Sequence, residues 1–299
     1  MKQHIQTPQR PQRTRASAKW FTSLAAILLL TAPVQARDGY TVTRNIHYVP
    51  GTNYQQTLDI YTPTSTVQSP MVVFIHGGGW QKGDKTNIDR KADYFTSHGY
   101  VFASINHRLS PAVTHPAHVD DVAHALAYLA SNSTRFHGDT NRIYLIGHSS
   151  GAHLAALVAV DARPLRACGQ TTAIIKGVIL LDTAAYDIPL LLARKDVYAE
   201  QRSLYEIAFT RNIRTQKDAS PQCHIAKNTY IPSFLVLYIS ERSDSKAASE
   251  RFSAALTKAG ASAMLSRINK THDGINKDVG IEGDALTKQI MDFLTAGDR

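Results

Sequence analysis

Ser149 stands between two glycines, in Gly147-His148-Ser149-Ser150-Gly151, where the apolar run RIYLIG meets the helical-looking GAHLAALVAV. A G-x-S-x-G pattern at a strand-to-helix junction places the serine on a sharp, strained turn, with its Oγ exposed at the carboxyl end of a sheet. The flanking glycines have no Cβ to obstruct the close approach of strand and helix. A serine hydroxyl is a weak nucleophile until a base takes its proton, and the base must be held in the right tautomer by a third group. After Ser149 the histidines are His153, His224 and His272. His153 lies on the helix just past the elbow, which carries its side chain away from Ser149, and His224 falls in a helical region. His272, in RINKTHDGIN, follows the last predicted strand, where loops gather at the carboxyl edge of a parallel sheet, and is the expected base. The orienting acid is expected after the preceding strand SFLVLYIS, within ERSDSKAASERF. Asp244, at the tip of a short turn, is preferred there, with Glu241 as the alternative.

A second motif supplies what such a nucleophile needs. His76-Gly77-Gly78-Gly79 follows the apolar strand MVVFI. In an H-G-G-G loop unobstructed backbone amides can face a developing oxyanion, together with the amide of the residue after the nucleophile. The expected donors are Gly77, Gly78 and Ser150. His76 is read as orienting this loop through hydrogen bonds rather than as a base, and Trp80 is placed to line the pocket.

The elements that must position these groups follow in order. TVTRNIHYV and QQTLDIYT read as edge strands; MVVFI, YVFASIN, RIYLIG, IKGVILLD, SFLVLYIS and SAMLSRIN read as buried strands. Between them come helical segments, including AHVDDVAHALAYLA, whose Val119, Val122, Ala123, Leu126 and Leu129 share one face. Strands separated by helices predict an α/β fold with a mostly parallel central sheet and helices on both faces. Residues 184–227, rich in Leu, Tyr, Ala and Ile, are either a small helical cap over the pocket or crossover helices packed on the sheet.

Residues 1–36 combine five basic residues, no acidic ones, the short apolar run WFTSLAAILLL and small residues before Arg37, the pattern of a secretory signal peptide. The expected organisation is this leader followed by one domain, residues 37–299, exported to the periplasm or secreted, without stable membrane association. The whole chain carries 33 Lys and Arg against 24 Asp and Glu. Much of that excess belongs to the leader, so it gives no ground for a nucleic-acid partner. Cys168 and Cys223 could form one disulfide in an oxidising compartment. The 13 histidines form no H-E-x-x-H or comparable ligand cluster, so no metal is expected.

Taken together, HGGGWQKGDK, SINHRLSP, HPAHVDDVAHALAYL, NRIYLIGHSSGAHLAAL and THDGIN resemble the α/β-hydrolase superfamily, most closely its esterase branch of hormone-sensitive-lipase-like and feruloyl-esterase-like carboxylesterases and arylformamidases. The resemblance covers most of residues 45–290. It implies hydrolysis of a small-molecule carboxylic ester through an acyl-enzyme, with no metal or organic cofactor and with the chain order Ser149, Asp244, His272. Amide hydrolysis on the same site, as in an arylformamidase, is the nearest alternative, and an inactive hydrolase fold used for binding is a further one. Two departures stand out: NHRL where many relatives have N-Y-R-L, and a short acid region, SERSDS.

Overall fold

Two apolar periodicities account for the architecture of the computed structural model, which describes Met1 and residues 34–297 apart from Asp38, Thr66 and Asn228. The first is the alternation within strands. Met71, Val73 and Ile75 of β4 (Ser69–Ile75) join the core on one face of the sheet, whereas Val72 and Phe74 join that on the other. The second is the helical stripe predicted in α2 (Ala117–Asn132), whose Val119, Val122, Ala123, Leu126 and Leu129 are all buried against the first face. On the opposite face lie α1 (Lys91–Ser97) and α10 (Ala285–Gly297), through Phe95, Ile290 and Phe293.

The sheet has nine strands in the order β1-β2-β3-β5-β4-β6-β7-β8-β9. Strands β1 (Val34–Arg37), β2 (Tyr40–His47) and β3 (Thr57–Pro63) form an antiparallel edge, and β3 also runs antiparallel to β5 (Val101–Ile105). From β5 onward all pairings are parallel: β4, β6 (Gly138–His148), β7 (Ile175–Leu181), β8 (Ser233–Ile239) and β9 (Ala263–Ile268). The carboxyl ends of β4, β6, β7, β8 and β9 therefore point the same way, which brings residues distant in sequence to one edge. Residues Ala32–Arg299 pack as one compact unit. The expected leader lies outside the described residues except for Met1 and Val34–Ala36, and the backbone of the latter pairs in β1 with β2.

Helix α3 (Ser150–Val160) is buried on all sides, as expected of a helix between the sheet and a second helical layer, here α2 and α4 (Ala162–Ala167). Its approach to the sheet explains both motif glycines. A Cβ on Gly151 would collide with the carbonyl oxygen of Ile75 at the end of β4, and one on Gly147 with that of Gly151. Helix α4 is absent from the sequence reading, although Asp161 caps it by accepting from the Arg163 amide. Between β7 and β8 the chain forms α5 (Ile188–Leu192), α6 (Ala199–Phe209) and α7 (Ile213–Asp218). Helix α8 (Ser243–Ala259) links β8 to β9, and the short α9 (Gly274–Lys277) precedes α10. Cys168 and Cys223 carry free thiols, so the disulfide expected as one possibility is not formed.

Candidate active site

Ser149 sits between β6 and α3 with φ 53° and ψ −115°, a positive φ that a serine adopts only where its surroundings hold it. The hold is visible. The Ser149 amide donates to the carbonyl of Leu181 (3.0 Å), and its carbonyl accepts from the His153 amide in the first turn of α3 (3.1 Å). Its side chain lines a cavity of about 280 Å³ together with Ser150, Gly79, Trp80, Arg242 and His272. The nucleophile and base expected from sequence thus face one cavity, from the ends of β6 and β9.

The acid that meets His272 is Asp182, at the end of β7, rather than Asp244 or Glu241. His272 Nδ1 donates to Asp182 Oδ2 at 2.6 Å. Asp182 is fully buried, and every part of its carboxylate is engaged: Oδ1 accepts from the Ile239 amide (3.2 Å) and Ser245 Oγ (2.5 Å), and Oδ2 also accepts from the Arg242 guanidinium (2.9 Å). Burial alone would raise its pKa. The bonds from His272 and Ser245 and the charge of Arg242 outweigh that and hold the carboxyl at about 2, ionised through the neutral range. With a carboxylate on Nδ1–H, the Nε2 of a neutral imidazole keeps its lone pair for accepting a proton.

Asp244 instead accepts from the other end of Arg242 (2.9 Å) and from Gln201 Nε2 (3.4 Å), and Glu241 is exposed. The correction has a physical cause: Arg242, between the two candidate acids, turns back over the end of β7 and ties Asp244 to Asp182. The signal in the sequence was the aspartate closing the apolar run IKGVILLD, one strand nearer the elbow. Its backbone, at φ 50°, is held by the Asp182 amide donating to the Leu237 carbonyl (2.9 Å).

The glycine loop lies beside the nucleophile. A Cβ on Gly77 would sit 2.8 Å from His148 Nδ1 and 3.2 Å from Ser149 Cβ, so only glycine fits there without displacement. Gly77 and Gly78 line an adjoining crevice, whereas Gly79, with Trp80, lines the cavity of Ser149. Among the described hydrogen bonds none uses the amides of Gly77, Gly78, Gly79 or Ser150, the last being the first residue of α3, where no intrahelical acceptor exists. His76 holds the loop as expected: its Nδ1 donates to the Gly77 carbonyl (2.8 Å), and its ring stacks on His107, the histidine of NHRL, at 4.6 Å.

Other histidines prove structural. His148 Nε2 donates to the carbonyl of His272 (2.8 Å), fixing the backbone of the base. Burial and the nearby His272 push the His148 pKa down to about 4, so it stays neutral. His153 donates from Nε2 to Ala219 and accepts from Trp80 Nε1, deep in the core. His224 donates to the Asp218 carbonyl (2.7 Å). The region read as either a cap or crossover helices forms part of the pocket, because Gln201, Leu204 and Tyr205 of α6 line the Ser149 cavity. Among the described residues no cluster of His, Cys, Asp and Glu could hold a metal ion, and no helix is long and apolar enough to cross a membrane.

An elbow serine, a facing histidine and a glycine loop at the carboxyl edge of a parallel sheet define an α/β-hydrolase of the esterase branch. Within it, the BD-FAE family model matches residues 58–238, more than half of the chain, and the chain belongs to that family. It is 27% identical over 94% of its length to a probable isoprenylcysteine alpha-carbonyl methylesterase of Oryza sativa, of which it spans 72%. It is 34% identical over half its length to a kynurenine formamidase of Meyerozyma guilliermondii, spanning 56% of that protein. Among solved structures, an inhibited esterase B of Lactobacillus rhamnosis shares the fold, with TM-score 0.73 and 21% identity over 88% of each chain. The chain is a carboxylic ester hydrolase by these relationships.

Proposed function

We propose that this hydrolase cleaves esters of small acyl groups through an acyl-enzyme, with Ser149 as nucleophile, His272 as base and Asp182 as the acid that orients it. The observation carrying this reading is the 2.6 Å bond between His272 and the buried Asp182, in an imidazole that lines the cavity of the elbow serine. His272 Nε2 takes the Ser149 proton as Oγ attacks the ester carbonyl. Amides of Gly78, Gly79 and Ser150 receive the charge on the carbonyl oxygen, and His272 returns the proton to the leaving alcohol. Water then attacks the acyl-enzyme with the same base, releasing the acid. Each oxyanion donor is worth about 3 kcal/mol of barrier in such sites.

The acyl side is walled by Trp80, Ala184, Leu204 and Tyr205 around about 280 Å³, below the range of about 300–1,000 Å³ that houses drug-sized ligands. The likeness to a formamidase supports amide hydrolysis as a second reading. The leader of residues 1–36 supports export, which places the enzyme on substrates outside the cytoplasm. A panel of 4-nitrophenyl esters from acetate to decanoate, run beside an N-formyl arylamine, tests the function. The expected kcat/KM is highest for the shortest acyl chains and falls at least about tenfold by the longest, each clashing methylene costing of order 1–3 kcal/mol. Turnover of the formamide alone, with every ester inert, would replace the ester reading by the amide one.

A further inference from the structure

Resting on that catalytic reading, we infer that Arg242 and Asp244 set the pH range of the reaction: Arg242 is a positioning residue that opposes protonation of the Asp182–His272 pair, and Asp244 moderates it. Asp182 Oδ2 accepts from two donors at once, His272 Nδ1 at 2.6 Å and Arg242 Nη1 at 2.9 Å, and the two nitrogens lie 3.2 Å apart. The carboxylate holds the Nδ1 proton, so the guanidinium finds no lone pair on that nitrogen, and the contact sets a fixed cation beside the ring. When His272 takes the Ser149 proton, the ring becomes a second cation at this place. The guanidinium opposes that charge, and it also draws on the oxygen that stabilises it. The state of Asp182 agrees with this: the Arg242 charge is among the causes that hold its carboxyl at about 2.

Asp244 acts on the base through the same guanidinium. Its Oδ2 accepts from Arg242 Nη2 at 2.9 Å and more weakly from the neutral Gln201 amide at 3.4 Å. A carboxylate, a guanidinium and a second carboxylate thus alternate in a row that ends at the imidazole, and all three side chains are largely withdrawn from screening solvent. The other groups facing the pair are neutral or matched. From β6, the His148 ring lies 4.7 Å from that of His272 and stays neutral, and Lys91 beyond it pairs with Asp89 (3.3 Å). Burial pushes the phenols of Tyr186 and Tyr205 up, so both keep their protons. Arg194, which also feels Asp244, pairs with Asp196 (2.6 Å). On the side of α9, Asp273 pairs with Lys277 (3.5 Å) and Lys270 with Asp278 and Asp284. Ser245 on α8 is uncharged, and Glu241 is exposed. Among the described residues Arg242 is the one cation in contact with the pair.

The test is the pH profile of kcat/KM for 4-nitrophenyl acetate on the full-length enzyme, with circular dichroism confirming the fold at each pH. Turnover needs the pair without its extra proton, so kcat/KM falls as the pH drops through the titration of the pair. Arg242→Met removes the opposing cation and is expected to move this acid limb upward by about one pH unit. Arg242→Lys restores a cation and should move it less than half as far. Asp244→Asn leaves the guanidinium unmoderated and is expected to move the limb the other way, downward by about half a unit. Lys288→Met, on the exposed side of α10, serves as the control and should keep the wild-type limb. Loss of packing alone lowers the rate and gives no reversal of sign between neighbouring substitutions. An unmoved limb in both variants, or shifts of the same sign, overturns the inference, and Asp244→Asn decides it alone should Arg242→Met not fold. An Asp182→Asn enzyme as active as the wild type would instead remove the catalytic reading on which the inference rests.

Discussion

Asp182→Asn lowers kcat for ester hydrolysis by about 10⁴-fold, close to 5.5 kcal/mol of barrier, whereas Asp244→Asn costs less than about tenfold. The difference follows from what each carboxylate touches. Asp182 accepts the Nδ1 proton of His272, and an asparagine amide there can present an N–H to the ring, stabilising the tautomer in which Nε2 is protonated and unable to act as a base. Asp244 reaches His272 only through Arg242, which keeps its bond to Asp182 when Asp244 is neutralised. Steady-state kinetics with 4-nitrophenyl acetate on both purified variants, with circular dichroism to confirm folding, reads the outcome. Equal losses, or the larger loss at Asp244, would contradict the assignment of the acid.

The second large effect is at the nucleophile. Ser149→Ala removes the atom that carries the acyl group in the proposed mechanism, and kcat is expected to fall by at least about 10⁴-fold, leaving only what the amides and binding supply. Alanine fits the space, and the Ser149 hydroxyl holds up no part of the fold: the elbow is fixed by its backbone bonds to Leu181 and His153. The variant should therefore melt within a few degrees of the wild type, since the change falls in the range of about 1 kcal/mol for most substitutions. A burst of 4-nitrophenol from the folded variant would show that another residue is acylated.

How much of this could be read in the residues depended on whether their roles are local. The elbow was legible because its requirements are local: a strand, two glycines where Cβ atoms would strike backbone, and a helix. His272 was legible from its place after the last strand, since parallel strands deliver their carboxyl ends to one edge. Asp182 was not, because its role depends on β7 lying between β6 and β8 and on a positive φ at its own position, and neither is written in IKGVILLD. The two acids in SERSDS drew attention away from it, although the residue between them, Arg242, is the one that reaches the site. The glycine loop shows a finer limit: the motif points to unpartnered amides, but that Gly79 lines the Ser149 cavity while Gly77 and Gly78 line the adjoining crevice is set by tertiary packing. The lining from α6 was legible only as a choice between cap and crossover, since an amphipathic helix serves either.

Reaction of the wild-type protein with a fluorophosphonate, followed by mass spectrometry of its proteolytic fragments, bears most directly on the joint placement of Ser149, His272 and Asp182. The account predicts one stoichiometric adduct on Ser149, lost in Ser149→Ala and formed orders of magnitude more slowly in Asp182→Asn. An unlabelled Ser149 in active enzyme, or an adduct on a different residue, would contradict it.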